Sequence, residues 1–206
     1  MSTNRLSGRI GLLAVVGMSM VLAGGCQNTG GSRGSSGPTP VASGDINRAR
    51  SLTSQADEAY RRGSFEQADK LYRESLQIYP SQTGAWNNLG NVLMAQKNYV
   101  DARAAFLRAI DLEPDRPEPH TSMGRLYLEA KYAEDSLEHF NEALAIDPRW
   151  LPAIRGKAAA LHQLARATPE YSDMLRTALL LESDNEWRVF FDRERSRVEQ
   201  ALLFGG

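Results

Sequence analysis

From residue 45 onward, apolar and small residues recur at intervals of three and four with charged residues between them, the period of amphipathic helices. Ala102, Phe106 and Ala109 show it most clearly, because intervals of four and three place all three side chains on one helical face. The same trio returns at a longer period. Tyr72, Phe106 and Phe140 stand 34 residues apart, as do Ser75, Ala109 and Ala143, and Ala68, Ala102 and Ser136. Ala56, Gly90 and Gly124 precede them at the same interval, and Pro80, Pro114 and Pro148 follow. Three frames result, 49–82, 83–116 and 117–150, each predicted to hold two helices of about three to four turns. A small residue on the leading helix lets the pair approach closely, and the aromatic residue of the second helix fills the space that remains. Each proline ends a second helix, since it lacks an amide and clashes with the preceding turn.

Turn signals fall between these helices. Ser64 follows Gly63 and has Gln67 three residues on, Asn98 has Asp101, and Asp115 precedes Pro117. Tyr132 comes one residue before the slot equivalent to Tyr99, which predicts a slightly different turn in the third frame. Beyond Pro148 the pattern decays. Ala158, Leu161 and Met174 remain in register over 151–184, but Thr177 and Glu182 replace the expected alanine and proline. Thr168 with Pro169 predicts a helix start within this fourth, degenerate frame. A last helix over 184–203 opens with a Ser183 to Glu186 capping box and puts Trp187, Phe191, Val198 and Leu202 on one broadly apolar side, as expected of an element that covers the end of a stack. Trp187, Phe190 and Phe191 also form a candidate docking patch.

The frames resemble the tetratricopeptide repeat. Its pattern is most complete as Trp86, Leu89, Gly90, Leu93, Ala102, Phe106, Ala109 and Pro114, and persists as Met123, Gly124, Tyr127, Ser136, Phe140, Ala143 and Pro148. The resemblance implies an all-α, right-handed α-solenoid of stacked antiparallel helix pairs spanning 45–206, closed by the C-terminal helix. It further implies a concave groove lined by the leading helices, whose candidate peptide- or protein-binding residues are Thr53, Asp57, Tyr60, Asn87, Asn91, Met94, Thr121, Arg125, Leu128, Arg155 and His162. The lysine-rich clamp that some members use for C-terminal carboxylates is matched only at Asn88, because Thr53 and Asp57 stand where a lysine and an asparagine belong.

The N-terminal segment has a different character. Arg5 and Arg9 precede an uncharged run from Ile10 to Gly25, which is the outline of a secretory leader. The run is diluted by glycines and shorter than the roughly 20 strongly apolar residues of a membrane span. Leu22, Ala23, Gly24, Gly25 and the single cysteine, Cys26, resemble the lipobox of bacterial lipoproteins with one extra glycine. That resemblance implies cleavage after residue 25, lipidation of Cys26 and anchoring in a membrane. Gln27 in place of the retention aspartate implies the outer membrane facing the periplasm. An ordinary leader cut near Ala23 is the alternative; it leaves Cys26 as a free thiol on a secreted chain. Residues 27–44, almost wholly Gly, Ser, Thr and Pro, read as a disordered tether with a span of roughly 25 Å.

Charge and motif content narrow the role. A net charge of −1 offers no basic excess for nucleic acid. One cysteine excludes an internal disulfide, and His120, His139 and His162 lie too far apart for a local metal motif. No Gly-x-Ser-x-Gly elbow, His-Glu-x-x-His helix motif or phosphate-binding glycine loop is present. The sequence therefore predicts a non-catalytic scaffold without cofactor, holding a protein or peptide partner at the cell envelope. Pilus or secretion assembly is the first context, a cell-wall hydrolase adaptor the second, and self-association a structural alternative.

Overall fold

A computed structural model describes residues 42–204, so the leader, Cys26 and most of the tether lie outside the described residues. Nine helices and no strand occur among them: α1 (Ser43–Arg61), α2 (Phe65–Ile78), α3 (Thr83–Ala95), α4 (Tyr99–Leu112), α5 (Pro117–Glu129), α6 (Ala133–Ile146), α7 (Leu151–Gln163), α8 (Pro169–Leu181) and α9 (Asn185–Phe204). α3, α5, α7 and α9 thus start at 34-residue intervals. α1 begins at Ser43, so Ser43 and Gly44, assigned to the tether from composition, form the first turn of a helix. No helix of the described residues is long and apolar enough to cross a membrane.

The four leading helices end alike. Gly63, Lys97, Lys131 and Ala165 all have positive φ, at 74°, 61°, 71° and 52°. At each, the following amide reaches back along the helix, as in Ser64 N to Ala59 O at 2.9 Å and Tyr132 N to Tyr127 O at 2.8 Å. The paired shorter bonds, Gly63 N to Tyr60 O and Lys131 N to Leu128 O, complete a Schellman motif. The third turn is therefore no exception. Ser64, Asn98 and Tyr132 occupy equivalent caps with φ, ψ of −85°, 68°, of −86°, 72° and of −97°, 68°. Tyr132 fills the cap itself, whereas Tyr99 is the first helical residue. The real departure is at the fourth turn, where residues 164–168 replace a three-residue connection with five.

Capping chemistry follows the sequence only in part. Asn98 Oδ1 accepts from Asp101 N, and Thr168 Oγ1 accepts from Tyr171 N at 3.2 Å. Ser64 makes no side-chain cap. At α9 the cap is Asp184 rather than Ser183: Asp184 Oδ1 accepts from Glu186 N at 2.8 Å and Trp187 N at 3.3 Å. Arg116 is interposed between Asp115 and Pro117, which takes the first helical position of α5. Before each proline the second helix ends in an extended residue, Tyr79, Glu113 or Asp147, since Pro excludes helical backbone there.

Packing turns the repeat into a stack. A Cβ built on Gly90 would come within 2.4 Å of Phe106 Cε1, and one on Gly124 within 2.7 Å of Phe140 Cε1. Phe140 also faces Gly156 of α7, where a Cβ would come within 2.3 Å, so one ring is seated between two glycines of successive leading helices. Phe106 and Phe140 are wholly buried. α1, α3, α5, α7 and α9 touch in succession, whereas α2, α4, α6 and α8 touch leading helices and never one another. A row that is close on one side and splayed on the other curves toward the close side. α9 packs on α7 and α8 and takes the place a fifth leading helix would have. It buries Phe191 and Val198, while Leu202, expected on the same side, is 41% exposed.

Candidate functional site

The inner row of leading helices carries the residues chosen from the sequence, and the structure sorts them into three groups. Asp57 and Asn88 are joined to each other: Asn88 Nδ2 donates to Asp57 Oδ1 at 3.0 Å, and the Tyr72 hydroxyl donates to the same oxygen. Burial, with Asp57 behind it, pushes the Tyr72 phenol far above its ordinary range. This network couples α1, α2 and α3 and already holds the Asn88 amide. Thr53 is likewise taken up by Ser75 and Gln82, at 2.8 and 3.2 Å.

A second group is covered. Met94 is 4% exposed and packs among Leu89, Leu93 and their neighbours in the first core cluster. Thr121 is 4% exposed because Trp150 lies over it, its indole N–H donating to Thr121 Oγ1 at 3.0 Å. Neither presents its side chain at the surface. Arg155 and His162 instead bind the C-terminal elements. Arg155 makes two bonds to Glu182, at 2.6 and 2.8 Å, and stands 5.1 Å over the Trp187 ring. His162 Nδ1 faces Glu194 Oε2 at 2.8 Å, and its ring meets the edge of Phe190.

Both carboxylates are buried and ionised. The bond from Arg155 holds the Glu182 carboxyl below its usual range against the cost of burial. For Glu194 burial acts first and opposes ionisation, but donors from Arg197, His162 and Tyr171 outweigh it. Glu182 occupies the slot where the first three frames have proline, so an ion pair closes this repeat where a proline closes the others. In the docking patch proposed from the sequence, Phe191 is fully buried, while Trp187 and Phe190 are half-buried and meet edge to face, Trp187 lying under Arg155 and Phe190 edge-on to His162.

The third group keeps unmet bonding capacity. Asn87 Oδ1 and Asn91 Oδ1, one turn apart on α3, are buried oxygens with no hydrogen-bond partner among the described residues, while Asn87 Nδ2 donates to Asn88 Oδ1 at 3.4 Å. Arg125 of α5 is exposed and makes no ion pair among them. Tyr60 and Leu128 flank this stretch as half-buried apolar surface. Two amides, one guanidinium and two apolar side chains can bond a peptide main chain or carboxylate and seat an apolar side chain.

Histidine in the third repeat has a structural job that the sequence did not announce. The Trp86 indole N–H donates to Pro80 O at 2.7 Å, and 34 residues later His120 Nε2 lies 3.0 Å from Pro114 O in the same place. His120 Nδ1 and His139 Nδ1 both face Glu142 Oε2, at 3.0 and 2.9 Å. Among the described residues no group of three or more His, Cys, Asp or Glu side chains is placed to hold a metal ion.

Comparison with known proteins extends the picture. Residues 53–117 match the family model described as tetratricopeptide repeat. Human Protein O-mannosyl-transferase TMTC3 is 27% identical over 138 residues, covering 67% of this chain and 14% of that protein. Mouse tetratricopeptide repeat protein 7B is 37% identical over 65 residues, 31% of this chain and 8% of that one. The chain thus corresponds to a small part of these relatives. A mutant O-GlcNAc transferase of Thermobaculum terrenum superposes with a TM-score of 0.62 at 25% identity, over 68% of this chain and 27% of that chain. The first repeat domain of Spaghetti (RPAP3), bound to the HSP90 peptide SRMEEVD, shares the fold with a TM-score of 0.55 at 15% identity, over 59% of this chain and 96% of that one.

Proposed function

We propose, from the premise that this chain is a tetratricopeptide repeat protein, that it is an interaction scaffold whose inner face holds an extended segment of a protein partner. The observation that carries this reading is the unpaired amide oxygens of Asn87 and Asn91 together with the exposed, unpaired Arg125 on two adjacent leading helices, where the side chains around them are already engaged within the fold. The partner segment differs in kind from the one held by the RPAP3 domain, which has a peptide ending in two acidic residues around a valine. Here Asp57 places a carboxylate where a clamp would need a neutral amide, so a chain terminus is disfavoured and an internal segment is favoured. Asn87→Ala combined with Arg125→Ala is expected to leave the melting midpoint in place and to weaken capture of the partner. Undiminished capture by the double variant discards the inner face as the binding surface.

We further propose that the scaffold is held at the bacterial envelope by acyl chains on Cys26, facing the periplasm from the outer membrane. The support is the leader pattern of residues 5–26, and two or more acyl chains anchor stably where one is marginal. Pilus or secretion assembly is the process we assign it to, on its resemblance in architecture to envelope lipoproteins of that kind. Metabolic labelling with a clickable fatty acid tests the anchor: label is expected on the native chain and absent from Cys26→Ala, and an unlabelled native chain discards it.

A further inference from the structure

Beyond α1, where the exposed Gln55 begins the series at the end of the stack, one position departs from the pattern by which the leading helices build the core. Leu89, Met123 and Phe191, spaced by multiples of 34 residues, are buried to 2%, 1% and 0% exposure. The member of this series in α7 is Lys157, a half-buried lysine whose amine makes no hydrogen bond or ion pair among the described residues. It lines a cavity of about 240 Å³ between α6, α7 and α8, at the turn that is two residues longer than its equivalents. Leu137, Leu161 and Met174 supply apolar wall, and Asn141 a free amide at the edge.

The other charges at this cavity do not pair with Lys157. Arg166 directs one nitrogen at both oxygens of Glu134, at 2.7 Å each. Glu170 stands exposed at the rim and makes no ion pair among the described residues. Lys157 has no ion-pair partner among the described residues, and burial pulls its ammonium below the ordinary lysine range. An uncompensated half-buried cation beside apolar wall is satisfied by an anion that brings apolar surface with it.

We propose that this cavity binds a carboxylate carried on a short apolar stem, with Lys157 as its counter-ion. The volume lies below the roughly 300–1,000 Å³ of sites that enclose whole drug-sized ligands. It therefore fits a fragment: the acidic side chain of a partner, or a small branched free acid. The site is formed with α6 and α8 and stands independently of the inner-face reading.

Amide proton–nitrogen correlation spectra of the full chain test this with two probes, isocaproate and a capped Leu-Glu-Leu tripeptide. Saturable shifts confined to α6, α7 and α8 around the cavity are expected from at least one probe, with at least about tenfold weaker binding in Lys157→Met and retention in Lys157→Arg. Saturation by isocaproate, alone or with the tripeptide, supports the site and marks a small free acid as sufficient; saturation by the tripeptide alone supports it and points to a partner's acidic side chain. No saturation by either, or equal binding by Lys157→Met, overturns the proposal. Lys157→Met also restores the apolar residue found at Met123, so its melting midpoint is expected to equal or exceed that of the native chain, which keeps loss of binding distinct from loss of fold.

Discussion

Gly90→Ala adds a single methyl group at the closest approach in the stack, and its effect follows from the geometry. The new Cβ would lie 2.4, 2.5 and 2.9 Å from three carbons of the Phe106 ring, where unstrained carbon contacts need about 3.5–4.0 Å. Phe106 is wholly buried and has no open side to move toward. Overpacking of this kind costs about 1–3 kcal/mol, and three simultaneous overlaps put the expected cost near the upper end. Alanine recovers about 0.8–1 kcal/mol of helix propensity over glycine. The net expectation is a destabilisation of about 1–2 kcal/mol, or a midpoint lowered by roughly 2–8 °C for a chain of this size. A methyl group added at Gly84, in the same helix, would meet nothing within 4 Å, so Gly84→Ala should be neutral or stabilising. Thermal melts followed by far-ultraviolet circular dichroism compare the two. A Gly90→Ala midpoint at or above the native value would refute the close-approach reasoning, because propensity alone would then govern both sites.

The same physics sets expectations elsewhere. Phe140→Ala empties a ring seated between Gly124 and Gly156 and should cost about 3–5 kcal/mol in urea unfolding, so a loss below about 1 kcal/mol would show that the two helices close the gap. Ala165→Gly relieves a left-handed residue at φ 52° and should stabilise by about 0.5–1 kcal/mol, and a destabilised variant would remove strain as the reason. Glu194 has a folded-state pKa below its unfolded value, so its contribution is present above about pH 4.3 and is lost as pH falls from there through the folded value. Glu194→Gln should therefore lower stability at neutral pH by about 1.5–3 kcal/mol and flatten the acid limb of the midpoint–pH curve; an unchanged limb would mean the cluster does not fasten α9.

Much of the fold was legible because its determinants are local and repeated. The glycine, aromatic and proline positions recur at one spacing, and each acts within its own helix pair. The fourth repeat was legible only as decay, since its closing device is a pair between Arg155 and Glu182, residues 27 apart in sequence. The candidate face was read less completely for a similar reason. Helical position alone cannot reveal that Trp150, the residue that caps α7, covers Thr121, or that Asp57 is shared by Tyr72 and Asn88. Met94 was placed by its position on the helix, yet the last turn of α3 is drawn into the core. Lys157 was visible in principle: aligning it with Leu89 and Met123 exposes a charge in a buried series, but only the structure shows the cavity it meets.

Position-resolved photo-crosslinking measures the inner-face claim most directly. A benzophenone amino acid is placed in turn at Asn91 and Arg125 on the inner row, and at Val100 and Leu107 on α4, which are 81% and 37% exposed, in cells that express the chain. Partner adducts from Asn91 and Arg125 with none from α4 are the expected result. Adducts of equal yield from both rows, or from α4 alone, contradict it.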